Sequence, residues 1–151
     1  MAQVKVKHGI LVKRPPAEVF AFVSDPDKMP IWQSTLHQVK DKKETKQGKL
    51  QKQARVRDHR NVLGKDIDSE YEVVDYEQDK SLTLRVSEGD VSFQMKWDLE
   101  AVDGGTFFSA EGGGDLGALA LSDSAAQASA QHLLEGDLKT LRDVLERDQK
   151  G

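Results

Sequence analysis

At 151 residues the chain has the length of one ordinary domain. Its 37% hydrophobic and 32% charged residues are enough to bury a core beneath a hydrated surface, which excludes global disorder. A net charge of -4 argues against a nonspecific hold on nucleic acid, and the absence of cysteine excludes disulfides, thiolate nucleophiles and zinc-thiolate sites.

Met1 to Lys7 alternates charge with valine, and no later run approaches about 18 apolar residues, so neither export nor membrane insertion is expected. A cytoplasmic protein, monomeric or weakly dimeric, is the reading that follows. Val4, Val6, His8, Ile10 and Val12 then recur at period two, which predicts a half-buried strand with His8 on its apolar side. Arg14-Pro15-Pro16-Ala17-Glu18 ends that strand and starts a short helix buried through Val19, Phe20, Phe22 and Val23. Asp25-Pro26 closes it and caps a second short helix running from Met29 to Trp32, where Trp32 wedges the helix against the sheet edge. Six further strands are predicted at about Leu36 to Asp41, Lys49 to Arg60, Lys65 to Tyr76, Ser81 to Ser87, Val91 to Glu100 and Thr106 to Gly112.

The charge is unevenly spread. Lys40 to Lys65 holds ten basic and three acidic residues, whereas Asp66 to Asp115 holds fourteen acidic and three basic ones. A hairpin turn at Asn61 to Gly64, with Arg60 facing Lys65, brings Arg57 opposite Asp68, Arg55 opposite Glu70, His59 opposite Asp66 and Gln53 opposite Glu72. The asymmetry then becomes a solvated sheet face, with Val56, Ile67, Ser69, Tyr71 and Val73 on the other side. The basic loop Lys40 to Lys49 is not accounted for by that pairing.

Val91, Phe93, Met95, Trp97 and Leu99 form the clearest one-sided strand, and Leu82, Leu84 and Val86 precede it in the same way. Gly104-Gly105 supplies the next turn, and setting Leu99 against Thr106 places Phe108, rather than Phe107, inward opposite Trp97. From about Ser122 to Asp148 the chain lacks proline and repeats Ala130, Leu134, Leu138, Leu141 and Leu145 at helical spacing. Asp137 falls within the apolar stripe of this long helix, where an unpaired carboxylate is costly.

The stretch Pro15-Pro16-Ala17-Glu18-Val19-Phe20-Ala21-Phe22-Val23-Ser24-Asp25-Pro26 leading to Trp32, together with Tyr71-Glu72-Val73-Val74-Asp75-Tyr76-Glu77, Gly105-Thr106 and Asp137-Leu138-Lys139-Thr140-Leu141, resembles the START-like (SRPBCC) superfamily, especially its bacterial polyketide cyclase/dehydrase-like members. The resemblance spans nearly the whole chain. It implies one α+β helix-grip domain over residues 1–151: a curved, seven-stranded antiparallel sheet wrapped around a long C-terminal helix, with two short helices between strands one and two. It also implies an apolar ligand held between sheet and helix, but carries over no catalytic motif.

Physical reasoning leads to the same cavity, because a curved sheet facing Ala126, Ala130 and Gly136 is hard to fill. Its expected lining is Ser69, Tyr71, Leu84, Phe93, Met95, Trp97, Phe108, Ala130 and Leu134. Two functions follow: binding or carriage of a small apolar or aromatic, lipid- or polyketide-like molecule, or a cyclase/dehydrase reaction. The second requires His8 as acid or base, Asp137 to orient it and Tyr71 as donor to a carbonyl oxygen. Gly112 to Gly117 matches the letters of a dinucleotide fingerprint, yet no strand follows it to complete a βαβ unit, and a flexible entry to the last helix is the simpler reading. His8, His37, His59 and His132 lack metal-site spacing. No metal and no cofactor are expected.

Overall fold

The computed structural model describes residues 3–62, 64–88, 91–116 and 122–147. Leu63, Gly117 and Asp148, on which parts of the sequence reading rest, lie outside those residues. Strand β1 (Gln3–Val12) is followed by helix α1 (Pro16–Val23), a single 3-10 turn (Pro26–Lys28) and helix α2 (Met29–Trp32). Then come β2 (Leu36–Lys43), β3 (Arg55–Val62), β4 (Lys65–Glu77), β5 (Ser81–Glu88), β6 (Val91–Val102) and β7 (Gly105–Asp115), before helix α3 (Asp123–Arg147). All seven strands form one antiparallel sheet in the order β1-β7-β6-β5-β4-β3-β2. This is the helix-grip arrangement expected from the sequence.

Local chemistry explains the short helices. Pro16 opens α1 with its φ already set for a helix, and Glu18 adds negative charge to the first turn. Ser24 closes it, its Oγ donating to the Phe20 carbonyl at 2.6 Å. Asp25 then accepts from the Asp27 amide at 3.1 Å and starts the 3-10 turn. At the far end of the chain Ser122 caps α3 by accepting from the Ala125 amide.

Several details depart from the expected elements. β3 begins at Arg55 and not near Lys49, because Gln53 takes a left-handed backbone angle that interrupts an extended run. Val62 pairs with Lys65, so the β3-β4 link is two residues long and every cross-strand partner moves by two: Arg55 meets Glu72, Arg57 meets Glu70 and His59 meets Asp68. A shift of two preserves the faces, so opposite charges still meet on the solvent side. The same slip occurs between β6 and β7, where Leu99 meets Phe108 and Trp97 meets Ala110. Gly112 to Gly114 lie inside β7, so they are not a loose lead into α3. A Cβ on Gly114 would sit 2.0 Å from the Ser92 carbonyl oxygen, at a φ of +155. Only glycine lets the two strands approach there.

The interior is filled unevenly. Leu138, Leu141 and Leu145 on the second half of α3 are buried in the main core cluster, which also holds Val12, Val19, Met29 and Phe108. In the first half Ala130 leaves space, whereas Ala126 is packed against Val4, Leu116 and Phe93 in a second small cluster. Gly136 does not contribute to that space, because it faces outward and a Cβ added there would meet nothing within 4 Å. Phe108 is 0% and Phe107 41% exposed, which resolves which of the pair points inward. Phe108→Ala is therefore expected to lower stability by about 3–5 kcal/mol, against less than about 1 kcal/mol for Phe107→Ala, read from urea midpoints; equal losses would contradict this packing.

Candidate functional site

A cavity of about 230 Å³ lies between the concave sheet and the first half of α3. Val6 of β1, Val62 of β3, Ile67 and Tyr71 of β4, Leu84 and Val86 of β5, and Val91, Phe93, Met95 and Trp97 of β6 form its floor. Ala130, Leu133 and Leu134 of α3 form its roof, with Leu116 beside them. The polar groups come from Gln33 and Thr35 after α2, Arg60 of β3, Ser69 of β4 and Asp137 of α3.

All but Asp137 are joined in one hydrogen-bonded cluster around Asp58 and Arg60. Asp58, 1% exposed, lies in the inward row of β3 with Val56 and Arg60. It accepts from Arg60 Nε at 3.1 Å, Arg60 Nη2 at 2.9 Å and Ser69 Oγ at 2.7 Å. Arg60 Nη1 turns the other way, to Gln33 Oε1 at 3.0 Å and Thr35 Oγ1 at 3.4 Å. Asp137 Oδ1 accepts the Ser34 amide at 3.0 Å. Burial raises the Asp137 pKa above the ordinary 3.8, and the hydrogen bonds from Ser34 and the charge of Arg60 offset only part of that rise.

Tyr71 is buried, and its hydroxyl donates to Met29 Sδ at 3.3 Å. Burial pushes the phenol well above its usual pKa of 10.0, so it remains a protonated donor. Trp32 packs against Trp97 at 5.3 Å and Phe108 at 6.4 Å between ring centroids. Its Nε1 is buried without an acceptor, which for such a group costs about 1–3 kcal/mol.

The family described as "Polyketide cyclase / dehydrase and lipid transport" has a sequence pattern that matches residues 3–146. The chain belongs to that family. No curated protein matches it. Among solved structures, a START superfamily protein from Mycobacterium smegmatis is similar with a TM-score of 0.78 at 14% identity, over 95% of this chain and 97% of that one. The protein TTHA0849 from Thermus thermophilus gives 0.73 at 17% identity over 95% and 98%. DynU16, a putative protein of the dynemicin biosynthetic locus, gives 0.69 at 19% identity over 94% of this chain and 47% of that one. At these identities the likeness is one of fold.

Within this member of the polyketide cyclase/dehydrase and lipid transport family, Ser69, Tyr71, Leu84, Phe93, Met95, Trp97, Ala130, Leu134 and Asp137 stand on the cavity wall. Phe108 does not, being packed into the core beside Trp32 and Trp97. His8 does not either: it is half-buried on β1 opposite Ala110, and the bond that orients Asp137 comes from Ser34. Sequence reasoning missed Arg60, Asp58, Gln33 and Thr35. The available signal was the inward parity of Asp58 and Arg60, which period two extends from Val56.

No group of three or more metal-ligating side chains occurs among the described residues, and none of their helices is long and apolar enough to cross a membrane. Of the basic stretch Lys40 to Lys49, expected as a loop, Lys40 to Lys43 belong to β2, where Lys40 lies 3.1 Å from Asp68 and Lys42 2.8 Å from Asp27.

The raised Asp137 pKa links stability to pH. Between 3.8 and the higher folded-state value the native protein holds more protons than the unfolded chain, so stability falls as pH rises through that window and stays lower above it. Asp137→Asn keeps an acceptor for Ser34 and removes the charge. Its Tm is expected to exceed wild type near neutral pH, by a few degrees at most because water screens a partly open group, with the gain vanishing as pH falls toward 3.8; a gain independent of pH would refute the linkage.

Proposed function

We propose that the protein binds a small, largely apolar molecule in the cavity beneath α3 and acts as a binder or carrier. The observation that supports this most directly is the cavity itself: a concave, mostly apolar wall with a few polar groups, the usual form of a small-molecule site. Membership of a family described by cyclase, dehydrase and lipid transport activities agrees with ligand binding in general.

A neutral apolar dye such as Nile red is expected to bind with a Kd on the order of 1 μM. Ala130→Phe places a ring in the space under the helix and is expected to weaken binding roughly tenfold or more, with His8→Ala indistinguishable from wild type because His8 is off the wall. Unchanged affinity in the Ala130 variant would remove the cavity from consideration.

A second reading is favoured by one observation, that Asp137 and Tyr71 share the wall, the first with a raised pKa and the second a persistent donor. In that case the cavity catalyses a cyclisation or dehydration of a poly-β-keto molecule, with Asp137 in place of His8 as acid or base. Turnover lost in Asp137→Asn with affinity retained would support it. Turnover unaffected by that change would end it.

A further inference from the structure

The charge balance of the polar side of the cavity restricts what it can accept. The positive charge of Arg60 is matched by Asp58, which is fully enclosed and takes bonds from both Nε and Nη2. Nη1 is engaged by Gln33 and Thr35. Of the guanidinium hydrogens, one on Nη2 has no acceptor among these bonds. Arg60 therefore offers the cavity a donor without surplus positive charge.

Asp137 supplies the complement. Its two oxygens have about four acceptor sites, and Ser34 takes part of them through its amide and its side chain. An anionic head beside these residues would meet a carboxylate with only an already neutralised guanidinium to compensate, in a site only partly open to water. A hydroxyl suits the chemistry of both residues, since its oxygen can accept from Arg60 and its hydrogen can go to Asp137. Much of the rest of the wall, including Ile67, Val86, Phe93 and Leu133, offers no hydrogen bonds from its side chains. A volume of 230 Å³ at about 30 Å³ per water-sized group holds roughly eight such groups.

Building on the cavity-binding reading, we propose that the ligand is an uncharged, medium-sized apolar alcohol or enol, its hydroxyl held between Arg60 and Asp137, and that carboxylates are discriminated against at this end. The two tryptophans of the chain, Trp32 and Trp97, are both on the wall, so intrinsic fluorescence reports occupancy without a dye.

Three probes of equal length separate the terms: n-octanol, octanoate and heptyl methyl ether, at about pH 7 where octanoate is ionised. The ether keeps the acceptor oxygen and lacks the donor. Octanol is expected to bind roughly tenfold tighter than either of the others. Asp137→Asn, with wild-type circular dichroism as the folding control, is expected to bring octanoate to within about threefold of octanol by removing the repelling charge. Octanoate equal to or tighter than octanol in the wild type, or an octanol-to-octanoate ratio unchanged in the variant, overturns the proposal. So does silence toward all three probes while Nile red still binds. If Nile red fails as well, the cavity-binding reading itself falls.

Discussion

The position of α3 controls everything else, and hydrogen bonds at its two margins set it. Along β1, Gln127 and Gln131 behave like an extra strand: Gln127 bonds both the amide and the carbonyl of Lys5, and Gln131 does the same for Lys7. Glu146 accepts from the Lys13 amide, and Arg14 Nε donates to the Leu145 carbonyl, continuing the seam to the end of the helix. These contacts satisfy backbone groups on a sheet edge that would otherwise invite pairing with another chain. On the opposite margin Asp137 holds the Ser34 amide. A helix tethered on both sides spans the sheet and is not free to collapse onto it.

That tethering explains how one interior can be solid at one end and open at the other. Large leucines fill the space beneath the second half of α3, where Phe108 and Trp32 pack edge to face and Trp97 packs at a tilt against both. Beneath the first half, the small side chain of Ala130 leaves the floor uncovered. The Asp58-Arg60 pair stands at the side of this space. Removing one partner of a buried ion pair commonly costs about 3–5 kcal/mol, whereas an apolar replacement of both is often neutral. The pair is thus weak evidence of a stabilising device and better evidence of a fixed donor array facing a cavity.

Much of the architecture was legible in the sequence because it rests on periodicity. The row Val91, Phe93, Met95, Trp97 and Leu99 marks the floor of the cavity, and the leucine spacing from Leu134 to Leu145 marks its cover. Register was less legible: turn length is decided by one or two residues, and both hairpins slipped by two while keeping their faces. The seam of Gln127 and Gln131 was invisible, since glutamines four apart on a helix look like solvated surface. Asp58 and Arg60 were hidden differently, by a charge pattern that drew attention to the outward ladder of Arg55, Arg57 and His59. On that outward face His59 and then Lys40 hold the Asp68 carboxyl below its ordinary pKa, so the ladder sets register more than it stabilises.

The division of the interior has a consequence for how such a chain can change. A side chain in the filled half is surrounded by partners, and truncating it loses contacts on every side and opens a void. A side chain on the cavity wall has partners on one side only, so exchanging it disturbs fewer contacts. Val12, Val19, Leu138 and Leu141, each 0% exposed, carry the fold; Phe93, Met95 and Leu133, only partly buried, shape the space. Substitutions in the second group can alter the size and chemistry of the cavity at little cost to the first. Family membership therefore fixes the vessel, and the size and polarity of its interior are set by a few wall residues, Arg60 and Asp137 among them.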